Sequence, residues 1–252
     1  MNEQPNFANT DDLLLLIFAG VLPAILIIVY IYIKDKYQRE PLIQIVRGFA
    51  YGVVAAIIAI LLEIVIQWVI GTMPEGWAGA MIEAFVVAAM PEEAAKLLML
   101  YLLLRSNPDF DERFDGIVYA TCVGMGFAAS ENIIYLVAHQ VWVPVAMARA
   151  IFAVPGHFLF AVAMGYFYSR LYFDTADIKT ALAVYFAPVL LHGIYDGLLF
   201  ASKAEPGWST MLVIVFYIFF FRMFKFGRKR INEQLERDRQ DPTQRAFYDK
   251  GD

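Results

Sequence analysis

The chain has 252 residues, 60% of them hydrophobic and 18% charged, with a formal net charge of −5. A soluble domain carries nearer a quarter of its residues as charges, so this composition excludes an ordinary water-soluble fold. The single cysteine, Cys122, excludes an internal disulfide, and no nucleic-acid motif, internal repeat or low-complexity tract is present.

A bilayer needs roughly 20 apolar residues per spanning helix. Seven runs qualify in chain order: Leu13–Ile33, Leu42–Ile70, Gly79–Leu104, Gly116–Ala138, Val141–Ser169, Thr180–Ala201 and Met211–Phe224. They predict an all-α fold, a polytopic membrane helix bundle of about seven transmembrane helices, multi-pass in the cell membrane. The first run is too long for a signal core and no basic residue precedes it, so no cleaved leader is expected. Lys34, Lys36, Arg39 and Arg47 follow the first run, Arg105 and Arg113 the third, Arg170 and Lys179 the fifth, and Arg222, Lys225, Arg228, Lys229 and Arg230 the seventh. The opposite loops carry only Lys203. The positive-inside rule then puts the N-terminus outside and the C-terminus in the cytoplasm, as an odd helix count also requires. Residues 1–225 form the membrane domain in this reading. Residues 226–252 form a cytoplasmic tail of basic and mixed charge, a membrane-surface stop followed by a solvated helix or disordered segment.

The third run contains "MPEEAAKLLML", with Glu92, Glu93 and Lys96. Each ionised group near the bilayer centre costs about 2.5–3.5 kcal/mol on insertion scales. The leucines from Leu97 to Leu104 return only about 0.3–0.6 kcal/mol each. These charges therefore turn inward, pair, or lose their charge. Lys96 is four residues from Glu92 and three from Glu93, so it reaches either. The adjacent glutamates point about 100° apart, so one can pair while the other faces a cavity. Pro91 lacks an N–H and predicts a kink beside them. An isolated Glu–Lys pair would be a structural tie between helices, but four other helices contribute polar groups as well.

The fourth run holds "GFAASENIIYL", with Phe127 and Glu131 on one face and Gly124, Gly126 and Ala128 permitting close helix approach. The fifth holds "RAIFAVPGHFLF", with Arg149 towards its outer end and His157 after Pro155 and Gly156, a second expected break. The sixth holds "LLHGIYDGLL", where Asp196 lies four residues after His192 and can orient its imidazole. Glu63, Glu83 and His139 lie towards the outer side and receive no chemical role. At 1.5 Å per residue from the outer ends, Glu92 lies about 20 Å deep, Glu131 about 10, His157 about 22 and His192 about 13. Helices three to six can thus enclose one polar chamber open to the outer half of the membrane.

The ordered set Glu-Glu-x-x-Lys (Glu92, Glu93, Lys96), Phe-x-x-x-Glu (Phe127, Glu131), Arg then His (Arg149, His157) and His-x-x-x-Asp (His192, Asp196), on successive helices, resembles the PrsW family of intramembrane proteases. The stretch "YIKDKYQREP", Tyr32 to Pro41, resembles the family too, and the likeness runs from about Leu22 to Phe224. The family is similar to CAAX-type prenyl-protein endopeptidases, whose second motif ends in His and whose last reads His-x-x-x-Asn. Glu131 and Asp196 stand at those places here, which favours the PrsW branch and argues against prenylated substrates. The resemblance implies a peptidase acting on a membrane-anchored protein, in the best-known members an anti-sigma factor cut on its extracytoplasmic side, a site-1-type cleavage.

Peptide hydrolysis in a membrane needs a water, a base and oxyanion stabilisation. The expected catalytic residues are Glu92 as base, Glu93, His157 and His192, supported by Lys96, Phe127, Glu131, Arg149 and Asp196. In one version Glu131, His157, His192 and Asp196 hold a divalent metal such as zinc, whose catalytic sites use three protein ligands and an open position. Its charge would balance the excess of four carboxylates over Lys96 and Arg149. In the other version the glutamate and histidines act without a metal. A His-Glu-x-x-His motif, a Gly-x-Ser-Gly nucleophile and a second in-membrane aspartate are all absent. A proton- or ion-coupled transporter would use similar buried groups, though no two-fold internal symmetry accompanies them. A non-catalytic scaffold would not need the full acid–histidine set.

Overall fold

The computed structural model describes residues 10–35, 38–139, 141–174 and 176–241, with only the backbone of Thr10 and Asp11. The described residues fold as α1 (Thr10–Lys34), α2 (Leu42–Ile70), α3 (Gly76–Ile82), α4 (Met90–Leu104), α5 (Asp115–Ala138), α6 (Trp142–Ala148), α7 (Val154–Ser169), α8 (Ile178–Ala204) and α9 (Ser209–Gln240). π-helical stretches at Glu83–Ala89 and Arg149–Ala153 join α3 to α4 and α6 to α7 without a break, and a third, Arg170–Asp174, extends α7. Six helical runs are long and apolar enough to cross a membrane, so the chain is a multi-pass membrane protein. A further run, 76–104, is divided by the π-helical stretch and carries Glu83, Glu92, Glu93 and Lys96. It packs in the bundle against α2 and α8.

The helix α5 lies at the centre, against α1, α2 and α7. Its run "YATCVGMGFAAS" is small or apolar on every side, the pattern of a helix buried all round. Small residues let backbones meet: a Cβ on Gly52 of α2 would lie 2.8 Å from the Gly126 Cα, and one on Gly124 would lie 2.9 Å from the Ala161 Cβ of α7. The helices α1 and α2 present leucines, isoleucines and valines outwards, as lipid contact allows. Four tryptophans, Trp68, Trp77, Trp142 and Trp208, stand at the helix ends joined by the 71–75, 139–141 and 205–208 connections. They make an aromatic belt at one end of the bundle.

Both expected proline breaks take the form of a widened turn. The Met90 N–H bonds to the Phe85 carbonyl and the Val154 N–H to the Arg149 carbonyl, five residues back in each case. Pro91 and Pro155 then sit in the first turn of the following α-helix, where a missing N–H leaves no acceptor stranded within that helix.

At the other end of the bundle, α9 runs past residue 225 as one helix to Gln240. Gly227, Ile231, Gln234 and Asp238 on its inner half are buried, so this part of the tail is packed on the body. Residues 242–252 lie outside the described residues. The carboxylate of Asp238 accepts from the backbone N–H groups of Arg113 (3.0 Å) and Phe114 (2.8 Å), capping the start of α5 from 124 residues away. Nearby, Asp35, Glu40 and Glu112 are all buried. Burial, reinforced by acidic neighbours, pushes their carboxyls up, to about 7 for Asp35 and Glu40 and about 8 for Glu112.

Candidate active site

Nine polar or aromatic residues singled out in the sequence come together where α4, α5, α7 and α8 face one another. The α4 register does what the spacing requires: the Lys96 ammonium lies 3.1 Å from Glu92 Oε2 and 2.8 Å from Glu93 Oε1. It also lies 3.3 Å from His157 Nδ1 and 3.8 Å above the centre of the Phe127 ring. Glu92, Glu93 and Lys96 are 6%, 0% and 3% exposed. A group in this setting keeps its charge only through such partners.

On α8, His192 Nδ1 lies 2.9 Å from Glu93 Oε1 and 4.0 Å from Glu92 Oε2, and its Nε2 lies 3.0 Å from Asp196 Oδ2. Carboxylates at both ring nitrogens fix the imidazole in place, and it donates to both when it carries two protons. The His157 ring is 5.4 Å from the His192 ring, centre to centre. His157 Nε2 meets Glu131 Oε2 at 2.7 Å, and Arg149 Nη2 meets the same oxygen at 2.6 Å. Two carboxylates therefore hold two imidazoles by their far nitrogens, Glu131 on His157 and Asp196 on His192.

The site forms the wall of a cavity of about 820 Å³ that runs to the tryptophan end of the bundle. Glu92, His157 and His192 line it, as do Glu131, Arg149 and Asp196, whereas Glu93 and Lys96 lie behind that wall. Adjacent glutamates on one helix thus divide as the angle between them predicts, with Glu92 towards the cavity and Glu93 towards the packed side. One oxygen of Glu93, Oε2, has no hydrogen-bond partner among the described residues. Glu63, Glu83 and His139, given no role from sequence, line the outer part of the same cavity.

Three donors, one atom each from Glu92, Glu93 and His157, lie within 4.8 Å of one another, and all three residues are buried. Carboxylate oxygens with an imidazole nitrogen are a donor set that suits a divalent ion such as zinc, so the residues fit a metal. The Lys96 ammonium bonds to the same three residues, so an ion and the ammonium compete for these atoms. The set Glu131, His157, His192 and Asp196 would bind an ion only if Glu131 and Asp196 gave up their contacts to the imidazoles.

Sequence reading missed three supporting residues. Asn132 Oδ1 accepts from Arg149 Nε at 2.6 Å while its amide donates to the Gly20 carbonyl of α1 at 3.0 Å, fixing the arginine. Phe160 stacks on His192 at 4.6 Å. Tyr185 donates to the Met90 carbonyl at 3.0 Å, beside the widened turn. Asn132 adjoins Glu131, and Phe160 lies one helical turn after His157, so spacing from the charged residues was the available signal.

Residues 40–223 match the model of the PrsW-protease family, described as PrsW family intramembrane metalloprotease. Among curated relatives, each named Protease PrsW, the chain is 40% identical over 190 residues to that of Geobacillus kaustophilus, covering 75% of this chain and 81% of the relative. It is 33% identical over 217 residues to that of Clostridioides difficile, covering 84% and 88%. It is 33% identical over 218 residues to that of Bacillus subtilis, covering 85% and 95%. No solved structure matches the chain.

Proposed function

We propose, for a chain that belongs to the PrsW family of intramembrane metalloproteases, that peptide hydrolysis takes place at the wall formed by Glu92, His157 and His192. The activity is that of a peptidase acting within the bilayer on membrane-anchored proteins. The observation that carries the reading is the shared exposure of Glu92, His157 and His192 to one cavity, with Glu93 and Lys96 directly behind them.

In this reading Glu92 takes a proton from water as the oxygen attacks the scissile carbonyl. The Nε2–H of His157 or His192 stabilises the oxyanion that forms, exchanging its bond to Glu131 or Asp196 for one to that oxygen. The C–N bond then breaks, and the proton held at the Glu92 carboxyl passes to the departing amine. Lys96 balances the paired glutamates, while Glu131 and Asp196 aim the two rings. Glu92, Glu93 and His157 would hold a divalent ion, with Glu131, His157, His192 and Asp196 as the second candidate set. When bound, the ion supplies Lewis-acid polarisation and a more acidic water.

The same reading makes the run 76–104 a seventh span, with the N-terminus outside and the cavity opening to the outer leaflet. The positively charged loops at the opposite end support it. The substrate would be a single-pass protein cut on its extracytoplasmic side, an anti-sigma factor by family likeness. Co-expression of tagged single-pass proteins with the wild type or with Glu92→Gln tests it. Fragments made only by the wild type are expected, and identical fragments from both would refute the assignment.

A further inference from the structure

The inner end of the bundle holds a second cluster that the reaction does not use. One oxygen each from Asp35, Glu40 and Asp115 lie within 4.8 Å of one another. The three residues are 2%, 3% and 0% exposed, and the adjacent Glu112 is 1% exposed. Asp115 is 16 residues before Glu131 on α5, which puts it about 24 Å along the helix from that carboxylate.

Part of the cluster is satisfied by protein donors. Glu40 Oε2 accepts from the Tyr119 hydroxyl, and Asp115 Oδ2 accepts from the N–H groups of Asp111 (3.0 Å) and Glu112 (2.6 Å). Four buried oxygens have no donor among the described residues: Asp35 Oδ2, Asp115 Oδ1 and both of Glu112. Buried carboxylate oxygens left in this way are rare in folded proteins and call for a cation or a proton. The described arginines nearby are engaged elsewhere. Arg39 donates to the Asp35 backbone carbonyl and lies over the Tyr32 ring, and Arg113 binds Asp174, Asp238 and Asp241.

We propose that Asp35, Glu40, Glu112 and Asp115 form a second site, for a hard divalent cation of the Mg²⁺, Mn²⁺ or Ca²⁺ class. The donors are all oxygen, which suits these ions, whereas imidazole at the Glu92 site suits zinc. Asp35 and Glu40 come from the segment after α1, Glu112 from the segment before α5 and Asp115 from the first residue of α5, so a bound cation ties those parts together and stabilises only the folded chain.

The test uses the full-length protein in detergent, stripped with a chelator and titrated with Mn²⁺, with bound ion read by electron paramagnetic resonance. The His157→Ala protein, which lacks a ligand common to both candidate sets at the cavity, keeps a Mn²⁺ that the same protein loses when Asp35→Asn and Glu112→Gln are added. Mg²⁺ or Mn²⁺ raises the thermal midpoint of stripped wild type, and this rise disappears in the Asp35→Asn, Glu112→Gln double variant. Should the double variant fail to accumulate, Glu112→Gln alone weakens Mn²⁺ binding by about tenfold or more. Equal Mn²⁺ binding by wild type and Glu112→Gln, or no Mn²⁺ on the His157→Ala protein, overturns the proposal and leaves a cluster neutralised by shared protons only.

Discussion

Glu92 and Glu93 are neighbours in sequence and opposites in setting, and this sets what each substitution does. Glu92→Gln removes the base at the cavity and keeps its volume, so cleavage falls by about 10²–10⁴-fold while the protein still accumulates. A purified Glu92→Gln protein that cuts a reconstituted substrate at the wild-type rate would remove the role. Lys96→Met acts on stability instead. It leaves two buried carboxylates without their cation, a loss on the order of 3–5 kcal/mol that a thermal melt in detergent would register. A bound divalent ion changes that outcome, because it supplies the missing positive charge, so added zinc restores part of the midpoint. Zinc content also separates the two ligand sets. Loss of zinc in Glu93→Gln with retention in Asp196→Asn supports Glu92, Glu93 and His157, and the reverse supports the set containing Asp196. At this scale the sequence was most legible, since a charge in an apolar run has few tolerable settings. The three-way contact of Lys96 with His157 was not, because it joins α4 to α7 and no spacing within one helix encodes it.

Two helical runs use the same local device: a π-helical stretch, a proline in the first turn that follows, then the polar residues of the site. A π-turn inserts an extra residue into the helical register, so it redirects the side chains after it. The prolines were readable as interruptions, but composition carries no mark of whether a helix bends or widens. In the widened turn before α4, Phe85 packs on α8, where a Cβ added to Gly193 would lie 2.3 Å from the Phe85 ring. Gly193 follows His192 directly. Gly193→Ala is therefore expected to push the π-helical stretch away from α8 and to lower cleavage by about tenfold or more, since small misplacements at a catalytic group cost that much. Phe85→Leu in the same protein makes room and recovers part of the rate. A Gly193→Ala protein with wild-type kcat, or a double variant worse than the single, would show that this packing does not position His192.

For the molecule as a whole, hydropathy located the runs, because their length and apolarity follow from what a bilayer excludes. The inner half of α9 escaped the same reasoning. Its mixed charges look like a solvated surface, yet Glu233, Arg237 and Asp238 are matched to the body, which a local pattern does not reveal. Tyr166 donates to Glu233 at 2.7 Å, Arg230 lies 4.6 Å over the Tyr166 ring, and Arg237 pairs with Asp174. Asp238 meanwhile caps the start of the central helix. Truncation after Phe226 removes all of these and uncovers Leu159 and Tyr166 on α7. Two buried N–H groups lose their acceptor, at about 1–3 kcal/mol each, before any lost packing is counted. The truncated protein is expected to melt well below wild type in detergent and to accumulate less in the membrane. Asp238→Ala removes the same acceptor from both N–H groups, about 1–3 kcal/mol each, with α9 otherwise intact. A solvated tail predicts the opposite, no change in midpoint for either protein. Equal melting of wild type, Asp238→Ala and the truncated chain would reduce α9 beyond Phe226 to an appendage, and the start of α5 would need another source of order.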